Sequence, residues 1–335
     1  MGLDDIYRHV SVDLESVEER LRELARSESA EISAAVTEVL AGGGKRLRPA
    51  LVLIATNACN GKEPRTSPAG AALRRRSVDL AAAMELIHLA SLIHDDVIDG
   101  ASLRRGRRTM GEEWGNKTAI LVGDHVYSKA VKVLADDGDL DVIKCVAAAT
   151  CRMTESEMVQ SACRHDPGMT EERYLSIIAG KTAALISCSC RVGAMLGGVH
   201  NGEADILGEY GFNLGMAFQI TDDLLDIRGD EKTMGKCPGT DIREGNLTLP
   251  FIYAMKVADK MERKWMMECF VAVDVDDGQL VRMRNLAEKC GGFDYSLAKA
   301  REYSVSCKSR LESMDESEGR RSLTMLAEHV VERIA

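Results

Sequence analysis

The chain has 335 residues, room for one large domain or two ordinary ones. Aromatic residues make up 4% and there are six prolines, against abundant Ala, Leu, Met and Glu, which suits helices better than a many-turned sheet. The formal net charge of -10 disfavours nonspecific nucleic-acid binding, which needs basic surface and counterion release.

Residues 3–40 place apolar and charged side chains at helical spacing and predict helix up to Gly42-Gly43-Gly44, where the chain must break. Pro49 suits the first turn of a helix running to about Cys59, and residues 60–70 read as a loop. A long apolar helix is expected from Ala71 to Asp99, closed by a basic loop, Arg104–Thr109. Further helices fit 117–135, 139–163, 170–198 and 202–228. The stretch 229–246 reads as a structured loop, Leu249-Pro250 opens another helix, and three or four more follow. No sustained alternation argues for strands, no repeat of 20–50 residues is evident, and no disordered linker divides the chain. The expectation is an all-α fold in a single domain, 1–335.

Met1 to Val10 lacks an apolar h-region, so no signal peptide is expected. No run of about 18 uncharged apolar residues suggests a membrane span. The ten cysteines include no C-x-x-C. Cys188 and Cys190 point to nearly opposite sides of a helix, and Cys59, Cys145 and Cys151 sit in Ala/Val-rich stretches, which reads as core packing in a reducing cytoplasm.

Asp95-Asp96-Val97-Ile98-Asp99 sets Asp95 and Asp99 one turn apart on one helical face. Such like charges repel, and at the end of an apolar run they are costlier still, so a cation should compensate them. A lone D-D-x-x-D is better explained as a solvated acidic helix end. Asp222-Asp223-Leu224-Leu225-Asp226 repeats the spacing after another apolar run. Two such faces meeting across a helix bundle would form an oxygen-lined site for a hard divalent cation such as Mg²⁺, with phosphates and water supplying further ligands.

Basic groups suited to phosphate accompany the two motifs. Gly43-Gly44-Lys45-Arg46-Leu47-Arg48-Pro49 joins a glycine turn to three cations, although it is not a P-loop. Arg104-Arg105-Gly106-Arg107-Arg108 closely follows the first acidic motif, and guanidinium forks match phosphate oxygens. His88 lies seven residues before Asp95, on nearly the same face and roughly 10 Å below it. A core histidine and a functional one are equally compatible with that position. Lys181-Thr182 and Gln219 bring polar groups into apolar helices, and Lys236 adds a cation in the 229–246 loop.

Together these elements resemble the trans-isoprenyl (polyprenyl) diphosphate synthase family. The ordered set is G-G-K-R-L-R-P, I-H-L-A-S-L-I-H-D-D-V-I-D, R-R-G, G-N-K-T-A-I-L-V-G-D, G-K-T-A-A-L, F-Q-I-T-D-D-L-L-D and G-N-L-T-L-P, over about residues 43 to 250. The resemblance implies an all-α bundle around a deep central cavity, normally a homodimer. It implies condensation of isopentenyl diphosphate with an allylic diphosphate into an all-trans polyprenyl diphosphate. It further implies that Asp95, Asp96, Asp99, Asp222, Asp223 and Asp226 hold about three magnesium ions on the allylic diphosphate. Lys45, Arg48, His88 and Arg105 would bind isopentenyl diphosphate. Arg104, Lys181, Thr182, Gln219 and Lys236 would hold the allylic substrate, with Lys181, Thr182 and Gln219 stabilising charge on the reacting carbon. The family usually has Pro where Arg108 stands and often Lys where Asn246 stands, so Asn246 is left out of the site.

Product length is expected to depend on the side chains below Asp95. Ser91 and Ala90 are small where short-chain members commonly have an aromatic residue. Each five-carbon unit fully buried in a tunnel would add roughly 3–4 kcal/mol, so growth continues until a bulky side chain blocks it. Ile87, Met84, Val131 and Leu134 are candidate stops. The expected product is medium to long, about C30 to C40, in a shape-limited pocket. The alternatives are a C20 geranylgeranyl product, a terpene cyclase and a non-catalytic subunit of a heteromeric synthase. The isopentenyl diphosphate residues argue against a cyclase, and the six intact aspartates against a non-catalytic subunit. An oily product suits peripheral membrane contact, though no amphipathic anchor stands out.

Overall fold

The structure is a computed structural model that describes residues 2–60, 67–104, 106–199, 202–228, 239–272 and 275–333. Nearly every element is a helix. In chain order they are α1 (Leu3–Tyr7), a 3₁₀ turn (Arg8–Val10), α2 (Ser11–Leu24), α3 (Ala30–Ala41), α4 (Leu47–Cys59) and α5 (Pro68–Ile98). A two-residue hairpin, β1 (Leu103–Arg104) with β2 (Arg107–Arg108), leads to α6 (Met110–Trp114), α7 (Asn116–Asp137) and α8 (Leu140–Ala162). Then come α9 (Glu171–Ile178), a π turn (Ala179–Ala183), α10 (Ala184–Leu196) and α11 (Gly202–Arg228). Helices Thr240–Arg243, Leu249–Val257, Lys260–Val271, Asp277–Lys289, Gly292–Leu311 and Glu318–Glu332 complete the described chain.

The all-α expectation holds, with three local corrections. The periodic stretch 3–40 breaks at 25–29, because Ser29 caps α3 by accepting from the Ile32 amide while the Ser27 amide donates to the Ser33 hydroxyl. The stretch 170–198 is interrupted by the π turn, a wider winding common at functional sites. The basic loop is partly a hairpin, with Gly106 at φ 74 in its turn.

The chain divides into two compact units, the first made of Met1–Ala147, Cys188–Glu209 and Leu311–Leu326. Its centre is α5, which packs most extensively on α7 and also against α4 and α2. Leu51, Ile54, Leu80, Met84 and Leu86 are fully buried there. Each such side chain contributes about 1.5–3 kcal/mol of apolar burial. Helix α4 starts from Arg46, whose φ of 47 is left-handed. The Arg46 guanidinium accounts for that strain, since it pairs with Glu18 and with the buried Glu85 at 2.9 Å. One of the three basic side chains after the glycine turn is thus structural.

The second unit comprises Ala148–Ser187, Tyr210–Arg310 and Ala327–Ala335. Its core joins Met216, Ile220 and Leu224 of α11 to Tyr174, Phe251, Met266, Phe270 and Met283. Small residues let helices approach closely here. A Cβ on Gly215 would lie 2.5 Å from the Cα of Ala183, so only glycine fits that crossing.

Two helical stretches, Pro68–Ile98 and Glu171–Leu196, are long and apolar enough to cross a membrane by length and composition. Their most apolar windows are 72% and 61% buried in the fold, which marks them as core helices. Cys163, Cys188, Cys190, Cys269 and Cys307 are buried as core packing requires, whereas Cys151 is exposed because its side of α8 faces solvent.

Candidate functional site

In the first unit, unbroken α5 carries His88, Asp95 and Asp96 and ends at Asp99, whose amide donates to the Asp95 carbonyl at 2.8 Å. Asp96 is buried, while Asp95, Asp99 and His88 are half-buried. The chain turns sharply after α5, with the Ala101 amide donating to the Asp96 carbonyl at 2.9 Å. That turn brings β1 back so that Arg104 Nε donates to Asp96 Oδ1 at 2.6 Å. A carboxylate this buried needs such a partner, and the hairpin supplies it.

Arg107 donates to the Ala41 carbonyl at 3.1 Å, tying the hairpin to the start of the glycine turn. Arg108 is exposed and pairs with Glu112 at 3.0 Å, so the departure from Pro adds a local surface ion pair. Lys45 is exposed and Arg48 half-buried in the first turn of α4. Arg105 lies outside the described residues.

Below Asp95, Ile87 and Ala90 are 3% and 2% exposed, and the half-buried Ser91 turns its hydroxyl back to the His88 carbonyl at 2.8 Å. Among the candidate stops, Met84 and Leu134 are buried, whereas Val131 is exposed on the outer face of α7. Helix α7 approaches α5 closely at Gly123, where a Cβ would lie 2.3 Å from His94 Nε2.

In the second unit, the polar residues of the apolar helices form one connected chain. Thr182 Oγ1 donates to Gln219 Oε1 at 2.6 Å, and Gln219 Nε2 donates to Asp223 Oδ1 at 2.7 Å. The Tyr174 hydroxyl donates to Asp223 Oδ2 at 2.5 Å. Both oxygens of a buried carboxylate are thereby satisfied, which a lone buried charge would require. The π turn sets Lys181 apart from Thr182, and Lys181 Nζ meets Glu157 Oε2 at 2.6 Å and Gln160 Oε1 at 2.8 Å.

The second acidic motif is held from several sides. Asp222 Oδ1 lies 3.0 Å from Arg333, just past the helix Glu318–Glu332. Asp226 accepts at its carbonyl from the Gly239 amide at 2.9 Å and at its carboxylate from the Asp241 amide at 3.2 Å. Burial pushes Asp223 up to about 7, with Asp222 and Asp226 adding repulsion and the Tyr174 and Gln219 bonds opposing it. Asp241 is likewise raised well above its ordinary value, first by desolvation and then by Asp223 and Asp226. Burial and Asp223 together raise the Tyr174 phenol well above its usual value.

This donor set fits a hard cation. The cluster is all oxygen, and its members push one another toward protonation, a tension that a divalent ion relieves. Among the described residues, no three His, Cys, Asp or Glu side chains are grouped so that they could hold a metal ion by themselves. Mg²⁺ takes few protein carboxylates and draws its remaining ligands from water and phosphate.

Sequence reasoning singled out the aspartates, Lys181, Thr182 and Gln219, but missed Tyr174, Glu157, Gln160, Asp241 and Arg333. Glu157 and Gln160 carried no usable signal, lying three residues apart in the polar-rich stretch 152–161. The others come from distant segments and had none either. Lys236 lies outside the described residues.

A family model described as Polyprenyl synthetase matches residues 29–285. The chain is 35% identical to a short chain isoprenyl diphosphate synthase of Methanothermobacter thermautotrophicus, over 99% of each chain. It is 33% identical to an all-trans-nonaprenyl-diphosphate synthase (geranyl-diphosphate specific) of Rhodobacter capsulatus, over 98% of each chain. The fold matches a crystal structure of a polyprenyl synthase from Caulobacter crescentus complexed with calcium and isoprenyl diphosphate. The TM-score is 0.92 at 32% identity, covering 100% of this chain and 98% of that one.

Proposed function

This chain belongs to the polyprenyl synthetase family, and from that premise we propose how its residues divide the work of a prenyltransferase that joins isopentenyl diphosphate to an allylic diphosphate. Asp95, Asp96, Asp99, Asp222, Asp223 and Asp226 hold about three magnesium ions against the allylic diphosphate. The observation that carries this assignment is the buried chain Thr182–Gln219–Asp223–Tyr174, which fixes an acidic side chain where burial alone would neutralise it.

Bound magnesium supplies electrostatic neutralisation of the leaving diphosphate. Lys181, Arg104 and Lys236 add fixed positive charge to the same group, lowering the cost of breaking the allylic C–O bond. Thr182 and Gln219 present oxygens to the carbon on which positive charge develops. Lys45, Arg48, His88 and Arg105 clamp isopentenyl diphosphate so that its double bond lies beside that carbon. The condensation forms a C–C bond, and loss of a proton to the departing diphosphate restores the double bond. Apolar walls beneath the charged rim keep water from the cation.

The product is medium to long, about C30 to C40, since Ala90 and Ser91 are small where an aromatic side chain would stop a growing chain. The relatives' names span short-chain and nonaprenyl products. The chain works as one domain in a cytoplasmic homodimer, with peripheral membrane contact serving release of an oily product.

The experiment is an assay of the pure chain with isopentenyl diphosphate, an allylic primer and Mg²⁺, with products sized by mass spectrometry. Extension by the single protein supports the reading. A cyclic hydrocarbon formed without isopentenyl diphosphate, or extension only after a second subunit is added, overturns it.

A further inference from the structure

Arg333 stands at the second acidic motif without a role in the chemistry above. Its Nη1 lies 3.0 Å from Asp222 Oδ1, and its guanidinium carbon sits 5.3 Å from the centre of the Phe218 ring, one helical turn before Asp222. The side chain is 18% exposed, so the charge is largely withdrawn from water. Nη1 is buried and makes no aligned hydrogen bond, so it meets Asp222 as a charge and not as a directed donor. The ring fixes the guanidinium beside the carboxylate.

We propose that Arg333 is a built-in counter-ion for Asp222, a positioning residue that holds this carboxylate in the metal-free enzyme and that an arriving magnesium ion must displace. The inference rests on the assignment of Asp222 as a metal ligand. Asp222 and Asp226 lie one turn apart with Asp223 beside them, and such a cluster repels itself when no cation is bound. Arg333 offsets part of that repulsion in the resting state. The same contact opposes loading of metal alone, because the guanidinium and the ion compete for one carboxylate. A diphosphate brings new negative charge that accommodates both cations, so metal and diphosphate load together.

The test is Mn²⁺ binding to the metal-stripped full chain, read by electron paramagnetic resonance with and without inorganic pyrophosphate. Arg333→Met removes the charge and keeps an apolar stem against Phe218. It should bind Mn²⁺ about two- to fivefold tighter than the unmodified protein without pyrophosphate, the range set by a partly exposed ion pair. The difference should shrink once pyrophosphate is present. Arg333→Lys retains the charge and should bind like the unmodified protein, which separates a charge effect from damage to the helix end. Asp222→Asn should weaken binding in both conditions. Equal affinity of Arg333→Met and the unmodified chain, with Asp222→Asn weakened, overturns the counter-ion and leaves the metal site standing. Asp222→Asn binding as well as the unmodified protein removes the metal assignment itself, and the counter-ion with it.

Discussion

Replacing Tyr174 with Phe removes one hydroxyl and nothing else from the second unit's core. That hydroxyl donates to Asp223 Oδ2 at 2.5 Å, and the carboxylate is 5% exposed, so water cannot take its place without repacking. A hydrogen bond to a charged group is worth about 1.5–3 kcal/mol, and each pKa unit corresponds to about 1.4 kcal/mol. The Tyr174 bond holds Asp223 down, so its loss should move the carboxyl upward from about 7 by roughly one to two units. An anionic Asp223 is the form that binds metal. The acid limb of kcat/KM at limiting magnesium should therefore move to higher pH in Tyr174→Phe, and half-saturation by magnesium at neutral pH should rise about tenfold or more. At alkaline pH the variant should approach the unmodified enzyme. The measurement is prenyl transfer across mildly acidic to alkaline pH at several magnesium concentrations. Superimposable profiles, or a loss of activity equal at every pH, would refute the role given to this hydrogen bond.

Ala90→Phe should close the floor below Asp95 and shorten the product; unchanged length by mass analysis would discard the floor. Gly215→Ala should place a methyl 2.5 Å from the Ala183 Cα, costing about 1–3 kcal/mol and pulling Thr182 from Gln219. A lower melting temperature together with a lower kcat checks it. Asp223 binds its proton more tightly folded than unfolded, its carboxyl being raised from 3.8 to about 7. Its contribution to the stability of the metal-free protein should therefore be best below about pH 4 and decline as pH rises through about 7. Added magnesium should flatten that decline in denaturant melts.

The helices were largely legible in the sequence because their apolar faces are long and their ends are marked. The Gly42–Gly44 run, Pro49 and Pro250 fall where helices stop or begin, whereas α5 starts at Pro68, inside the stretch 60–70 that reads as a loop. The break at Ala25–Ser29 was hidden because helical periodicity continues across it, and only serine capping reveals it. The aspartates and the Lys181-Thr182 pair were legible as polar groups in apolar surroundings, where burial demands a reason. Their partners were not. Tyr174 lies 49 residues from Asp223, and Arg333 follows a helix crowded with other charged residues. Arg46 was given no role for the converse reason: among neighbouring cations, only the folded positions of Glu18 and Glu85 show that it braces α4.

The assignment of six aspartates to one diphosphate is tested most directly by anomalous scattering from crystals grown with Mn²⁺ and an allylic thiolodiphosphate that cannot ionise. Manganese peaks bridging the diphosphate oxygens, within bonding distance of side chains from both Asp95–Asp99 and Asp222–Asp226, are the predicted result. Ordered diphosphate with no manganese at one of the two motifs would contradict it.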